Sequence, residues 1–166
     1  MRKLILIGIL GVMPIWGINI SFIDAQKAFD SHPDTVKARE ILQKEIEKGN
    51  LEIKIKEKEI LALQDELEKP ISEEAKRRKE ATIQAKMEEY QMYKQEATEN
   101  LAKKRKELED SINAKIKGII SQIAKEKKID LVLDKDSIIY GEDSFDITNE
   151  AIKRIAEKKT EEKENN

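Results

Sequence analysis

A single proline divides the longest uniform stretch of this sequence. From Asp34 to Lys128 charged residues crowd every helical turn, and Pro70 is the only proline in that run. Proline lacks the amide hydrogen that a helix interior needs, and it pushes the residue before it towards extended geometry. Ser72, followed by two glutamates, can cap a new helix with acids at its positive end. The run is therefore predicted to form an arm of two helices, residues 34–128, that turns near residue 70.

Apolar residues recur at coiled-coil spacing on both sides of that turn. In the first half, steps of four and three residues join Leu42, Ile46, Gly49, Ile53, Lys56, Ile60, Leu63 and Leu67. The second half repeats these steps through Ile83, Met87, Tyr90, Lys94, Ala97, Leu101, Lys104 and Leu108. An antiparallel coiled-coil hairpin pairs the two seams in one register: Leu42 opposite Leu101, Ile46 opposite Ala97, Ile53 opposite Tyr90, and Ile60 opposite Ile83.

Gly49 interrupts the seam beside Asn50, at a cost of about 1 kcal/mol relative to alanine in a helix. Two interpretations remain open for this glycine. It is either a hinge in the arm or a residue that makes room for close packing against Tyr90 or Lys94.

Composition limits the rest of the chain. The 166 residues are 40% charged and only 4% aromatic, so one small body beside the arm is the natural division. There is no cysteine, which excludes disulfides and thiolate chemistry. The single histidine, His32, precedes Pro33 in a predicted turn, without partners at metal-ligand spacing. The six glycines are scattered and open no phosphate-binding loop. We therefore predict no enzyme activity, metal, cofactor or ATP.

The first 17 residues have the pattern of a secretory signal. Arg2 and Lys3 precede an apolar run from Leu4 to Ile15, and Gly17 is a small residue suited to cleavage. The run is short for a membrane span of about 20 residues. Residues 1–17 are therefore predicted to be a cleaved signal peptide, with an uncleaved anchor as the weaker alternative.

Two separated segments, residues 18–33 and 129–157, are predicted to build the body. Ile18, Ile20 and Phe22 alternate with polar residues, which predicts a strand with one buried face. Asp24 can cap a short helix after it. Beyond the arm, a second strand is predicted at 129–134 and a third at 138–140.

Thr148 is predicted to cap a final helix, and the charged tail, residues 158–166, is predicted to be disordered. The fold class is therefore α+β, mainly α. Three short strands leave bare sheet edges, so self-association of the body is expected. The residues predicted to supply the buried faces of that assembly are Ile20, Phe22, Leu131, Leu133 and Ile139.

In this order of elements the chain resembles the Skp/OmpH family of periplasmic chaperones over almost its whole mature length. The residues that carry the resemblance are Ile20 to Asp24 with Gln26 and Lys27, Pro33, Ile129 to Asp134, Tyr140, and Asp146 to Thr148. The resemblance implies a homotrimer whose strands form a small central barrel with three helical arms. It also implies an ATP-independent holdase that keeps unfolded outer-membrane proteins from aggregating in the periplasm. The alternative is a structural coiled-coil protein of the cell envelope that binds no client.

Four apolar or amphipathic residues of the arm lie off the predicted seam: Leu51, Ile55, Met92 and Tyr93. Arm packing does not account for them, so we predict that they contact the client.

Near the turn stands a basic cluster, Lys76, Arg77, Arg78 and Lys79. It is either a contact for lipid or lipopolysaccharide or a solvated helix face among neighbouring glutamates. The whole chain has a formal net charge of −2, and nucleic acid is not an expected partner.

Overall fold

The protein consists of a small body and a long helical arm. The structure, a computed structural model, describes the backbone of residues 17–164 and the side chains of residues 17–158. Its elements in order are β1 (Ile20–Ile23), α1 (Ala25–Ser31), α2 (Pro33–Leu67), α3 (Glu73–Lys127), β2 (Leu131–Asp134) and α4 (Thr148–Glu164). Short 3-10 turns lie at Lys135–Ser137 and Asp143–Phe145. The predicted mainly helical class is confirmed. Apart from Gly17, the predicted signal peptide lies outside the described residues.

Helices α2 and α3 form the hairpin, and local chemistry sets their ends. The chain turns between Leu67 and Glu73, with Pro70 in the connection. The Ser72 hydroxyl accepts a hydrogen bond from the Ala75 amide at 3.3 Å, which caps α3. At 1.5 Å per residue, the 55 residues of α3 span about 82 Å.

His32 joins the body to the arm. This residue ends α1 and begins α2, and its Nδ1 atom accepts a hydrogen bond from the Asp34 amide at 3.2 Å. The histidine therefore caps a helix, in agreement with its prediction as a turn residue.

The two strands pair in parallel, with Ile20 beside Leu131 and Ile23 beside Asp134. A parallel pair needs a long crossover, and here the entire arm supplies it. Asn19 fastens the start of β1 to the end of α3, because its side-chain amide donates to the Lys128 carbonyl at 3.1 Å. Both ends of the arm are thus held at one place in the body.

The core lies between one face of this sheet and the helices. Its buried residues are Ile23, Ala28, Ala38, Ile112, Ile116, Ile119, Ile123, Ile147, Ala151 and Ile155. Along the described arm beyond this cluster, Ile83 is the only buried apolar side chain. The arm therefore stands away from the body.

The inner face of β1 differs from the prediction. Ile23 joins the core, whereas Ile20 and Phe22 lie on the opposite face. The sequence pattern locates an alternation but does not say which face the helices cover.

The predicted third strand at residues 138–140 is absent from the described chain. The Asp134 carboxylate accepts from the Asp136 amide at 3.3 Å and starts a 3-10 turn, which takes the chain out of the sheet. The second edge of β1 is already used, because the Ile147 amide donates to the Phe22 carbonyl at 2.9 Å.

The last helix differs from the prediction at both ends. Thr148 is its first residue, and the Asp146 carboxylate accepts from the Thr148 amide at 2.8 Å. The Thr148 hydroxyl instead accepts from the Asp24 amide at 2.9 Å, which links α4 to the cap of α1. The helix also continues to Glu164 instead of giving way to a disordered tail at residue 158. Lysine and glutamate favour helices, and Lys153 and Glu157 form an i,i+4 pair at 3.8 Å.

An ion pair at the root of the arm leads to a pH-dependent prediction. Lys115 of α3 contacts Asp34 of α2 at 2.5 Å, and this hydrogen bond, opposed by burial and assisted by Lys37, lowers the pKa of Asp34 to about 2. Because this pKa is depressed, the stabilisation is complete above the unfolded pKa of about 4 and is lost as the pH falls towards 2. We expect Asp34→Asn to lower the free energy of unfolding by about 1–2 kcal/mol at pH 7, after allowance for solvent screening.

Urea titrations followed by circular dichroism at pH 7 and at successively lower pH would measure this difference. It should shrink on acidification. Asp65→Asn, at an exposed position of the same helix, is the matched control and should change little. A difference between Asp34→Asn and the parent that stays constant down to pH 2 would contradict the assignment.

Candidate binding surfaces

Ion pairs connect the two helices of the arm along much of its length. Lys56 contacts Glu89 at 2.5 Å, Lys86 contacts Glu59 at 3.2 Å, and Lys79 pairs with Glu66. The hydrogen bonds from Lys56 and Lys86 lower the pKa of Glu89 below its ordinary value. Exposed pairs of this kind contribute little individually, so the contact between the helices is weak and partly polar.

The predicted seam residues occupy different degrees of burial. Ile83 is buried, and Ile46 is 39% exposed. Half-buried positions are Leu42, Ile53, Ile60, Tyr90, Ala97 and Leu101.

The residues of α3 that face α2 differ slightly from the predicted seam. Met87 and Lys94 are exposed, whereas Lys86 and Tyr93 are half-buried. The Lys56 ammonium lies 5.4 Å from the centre of the Tyr93 ring, a cation–π contact between the helices. The prediction that Tyr93 lies off the seam is therefore wrong, because its ring takes part in arm packing.

The other three predicted client-contact residues lie on the surface of the arm. Leu51 is 59% exposed, Ile55 43% and Met92 62%. Leu61 and Met87 are also exposed apolar residues of the arm, and the sequence prediction missed their exposure. The exposure of Leu61 could have been predicted in the same way as that of Leu51, because Leu61 lies outside the four-and-three spacing of the seam. The exposure of Met87 could not have been predicted from this pattern, because Met87 satisfies the spacing.

Close packing at Gly49 is the wrong interpretation of that residue. A Cβ atom added to Gly49 would meet no atom within 4 Å. The glycine instead borders a cleft of about 530 Å³ between the helices, which Ala97 also lines. The hinge interpretation stays a prediction.

Acidic neighbours neutralise half of the basic cluster at the tip. Arg78 contacts Glu74 at 2.5 Å, and Lys79 pairs with Glu66. Lys76 and Arg77 form no ion pair within the described residues. Both interpretations of the cluster therefore stay open, with two cations left for an anionic partner.

The outer face of the sheet exposes apolar side chains. Leu131 is 46% exposed, Ile20 is exposed beside it, and Leu133 is half-buried. Ile139 is fully exposed in the loop after β2, where Tyr140 and Phe145 extend the same apolar character. The sequence prediction of the assembly surface included neither of these two aromatic residues.

Phe22 departs from its predicted place on the assembly surface. It is 6% exposed, and the Lys135 ammonium lies 5.7 Å from the centre of its ring. The loop that contains Gly141 folds over the same ring. Phe22 is therefore buried within its own chain, although it points to the outer face of the sheet.

The acidic side chains of the described residues are spread along the helices and form no metal-binding group. No three histidine or carboxylate side chains within them are placed to hold a metal ion. Their buried side-chain polar atoms all have hydrogen-bond partners. No helix in residues 17–164 has the length and apolar character of a membrane span.

Comparisons with known proteins place this architecture among related chains. The model of the family described as outer membrane protein (OmpH-like) matches residues 19–155. An uncharacterised protein of Aquifex aeolicus (strain VF5) is 33% identical over 141 residues, which cover 84% of this chain and 87% of that protein. The crystal structure of a candidate outer-membrane chaperone (OmpH-like) from Caulobacter crescentus CB15 aligns with a TM-score of 0.75. That alignment has 17% identity and covers 84% of each chain.

The tight fit of Gly141 against Phe22 gives a prediction about the body. A Cβ atom at Gly141 would lie 2.5 Å from Cε1 of Phe22, so the ring or the loop must shift. We expect Gly141→Ala to destabilise the fold by about 1–3 kcal/mol, the usual cost of overpacking. Gly118→Ala in α3 is the matched control, because its Cβ meets open space and should stabilise by about 1 kcal/mol. Chemical denaturation of both variants checks the opposite signs, and a neutral Gly141→Ala would contradict the close contact.

Proposed function

The chain belongs to the OmpH-like family, and from that premise we propose that it is an ATP-independent holdase chaperone of the periplasm. Its clients would be unfolded outer-membrane proteins, which it keeps from aggregating until they reach the membrane. The proposal has no enzymatic step. It needs only reversible contacts, and the energy for release comes from the more stable state that the client reaches elsewhere.

One observation carries this proposal. Leu51, Ile55 and Met92 are exposed on an arm that stands away from the core. Each of the three keeps between 43% and 62% of its surface exposed, a fraction that packing within the chain leaves uncovered. Met92 is flexible and unbranched and adapts to different partners, and exposed Leu51 and Ile55 beside it add apolar surface without a demand for one sequence.

Weak contacts suffice for such a protein if they are repeated. Burial of apolar surface contributes about 25 cal/mol per Å², so each contact is worth on the order of 1 kcal/mol. Several arms acting on one client raise the overall affinity without making any single contact strong. Release then needs no ATP.

A homotrimer would provide three arms for such repeated contacts and would give the body a role in assembly. Ile20 and Leu131 on the outer face of the sheet and Ile139 in the loop after β2 are exposed in a single chain, and the free edge of a two-stranded sheet favours further pairing. We propose that three copies bury these faces in a small central barrel. Leu133 would contribute at its margin, and Phe22 would support the face from within its own chain.

The proposed location is the periplasm, reached by a cleaved signal peptide. Lys76 and Arg77, which form no ion pair within residues 17–158, would be the contact for lipopolysaccharide or another anionic lipid, assisted by Arg78 and Lys79. The second candidate function is a structural coiled-coil protein of the envelope. The weak, polar seam of the arm disfavours it, because a spacer under load gains from a continuous apolar seam.

The client contact can be tested by removing the exposed apolar surface. We expect the triple variant Leu51→Ser, Ile55→Ser and Met92→Ser to melt and assemble normally but to lose most of its ability to keep an unfolded barrel protein in solution. Light scattering after dilution of the client from urea measures this. The matched control is Ala62→Ser, Ala81→Ser and Ala102→Ser, at three exposed alanines of the same arm. If the triple variant protects as well as the parent, these residues are not the binding surface.

Assembly can be tested with a charge on the outer face of the sheet. Leu131→Glu leaves a solvated glutamate in a monomer but buries an unpaired charge in the proposed trimer, at a cost of several kcal/mol. The variant should therefore fold and sediment as a monomer. Leu61→Glu, at an exposed position of the arm, should leave the trimer intact. A Leu131→Glu protein with the mass of a trimer in analytical ultracentrifugation would refute this interface.

A further inference from the structure

A gap interrupts the contact between α2 and α3 in the middle of the arm. Gly49 contributes no side chain there, and Ala97 contributes only a methyl group to the cleft of about 530 Å³. Ile46 and Ile53 border the cleft on α2. Tyr93 and Leu101 border it on α3. The seam thus has apolar walls at this level, and the side chains that would fill it are missing from the chain.

The length of the cleft limits what can enter it. Ile46 and Ile53 are separated by about 10 Å along α2 at the helical rise of 1.5 Å per residue. In an extended polypeptide, side chains on one face recur about every 7 Å. Two same-face side chains of an extended segment therefore match the cleft, whereas a helix would present a wider surface.

The helix backbone at the cleft offers no free edge for pairing with another chain. Gly49 and Ala97 lie inside long helices, whose amides and carbonyls bond within the helix. Three lysines, Lys48, Lys94 and Lys104, line the cleft together with two glutamates, Glu45 and Glu96.

The charges around the cleft favour an acidic occupant. Lys48 and Lys104 form no ion pair within the described part of the chain, and Lys94 lies over the Tyr90 ring at 5.1 Å. The local balance is one positive charge, next to apolar walls. Carboxylates that flank the entering apolar side chains are therefore complementary to this rim.

We propose that the Gly49 cleft is a client subsite for extended polypeptide in which two apolar side chains are flanked by aspartate or glutamate. The inference rests on the proposed chaperone function and adds a sequence preference to it. The exposed residues Leu51, Ile55 and Met92 accept apolar surface of any sequence. The cleft selects among the segments of a client.

The test compares two identical substitutions on the same helix. Ala97→Leu fills the cleft, and Ala102→Leu adds the same side chain at an exposed position that does not line it. The probe is a fluorescently labelled peptide, Glu-Glu-Phe-Ser-Phe-Glu-Glu, with a lysine version in place of the glutamates. Fluorescence anisotropy with the full-length mature protein gives the affinities.

We expect Ala97→Leu to weaken binding of the acidic peptide about five- to tenfold, the change from losing burial of roughly 50 Å² of apolar surface. Ala102→Leu should bind as the parent does, and the parent should bind the lysine peptide more weakly. Unchanged affinity of Ala97→Leu overturns the proposal, as does equal binding of the two peptides. Binding of phosphatidylglycerol vesicles is measured in parallel. If Ala97→Leu weakens vesicle binding but not peptide binding, the cleft is a lipid site and the proposal is overturned.

A second measurement covers the case in which Ala97→Leu fails to fold. A benzophenone amino acid at position 98, where Thr98 lines the cleft, should crosslink the acidic peptide, and the same group at position 102 should not. Equal crosslinking at both positions refutes the subsite. The light-scattering assay with the unsubstituted protein and the unfolded barrel protein tests the proposed chaperone function separately. If the unsubstituted protein binds the acidic peptide through the cleft but does not keep the barrel protein in solution, the holdase function is refuted and the subsite is not.

Discussion

The parallel pairing of two four-residue strands determines the form of this protein. Parallel neighbours cannot be joined by a short turn, so the chain between β1 and β2 must leave the sheet and return. Here the excursion is the arm, and Asn19 holds its two ends together through the carbonyls at the end of α3. Two strands alone are only marginally stable in water. Helices α1, α3 and α4 stabilise the pair by covering one face, and on the other face Ile20 and Leu131 are exposed.

Local chemistry made much of the fold predictable. Pro70, Ser72 and Asp24 act within a few residues of themselves, through a missing amide or a capping oxygen. Their consequences could therefore be read from sequence without knowing what the chain packs against. The apolar spacing of the arm is a local signal of the same kind, which is why the two helices and their turn were foreseeable.

The failures involve contacts between distant residues. Whether Phe22 or Ile23 faces the core depends on where the helices dock, and strand alternation is the same in both cases. Tyr93 and Lys94 are neighbours in sequence, and the pattern does not say which of them faces α2. Tyr93 does, because the Lys56 ammonium of α2 lies over its ring. The Thr148 hydroxyl accepts a hydrogen bond from the Asp24 amide, which lies far away in sequence, instead of capping α4. None of these partners is visible in a local pattern.

Helix α3 passes without a break from the tip of the arm into the core, where Ile112, Ile116, Ile119 and Ile123 are buried. Mechanically the arm is a beam clamped at one end. The deflection of such a beam at the point of loading grows as the cube of the distance between the load and the clamp, so a given force moves the tip much further than it moves the root. A force applied near the turn at Pro70 therefore displaces the arm more easily than the same force applied at the level of Gly49 and Ala97.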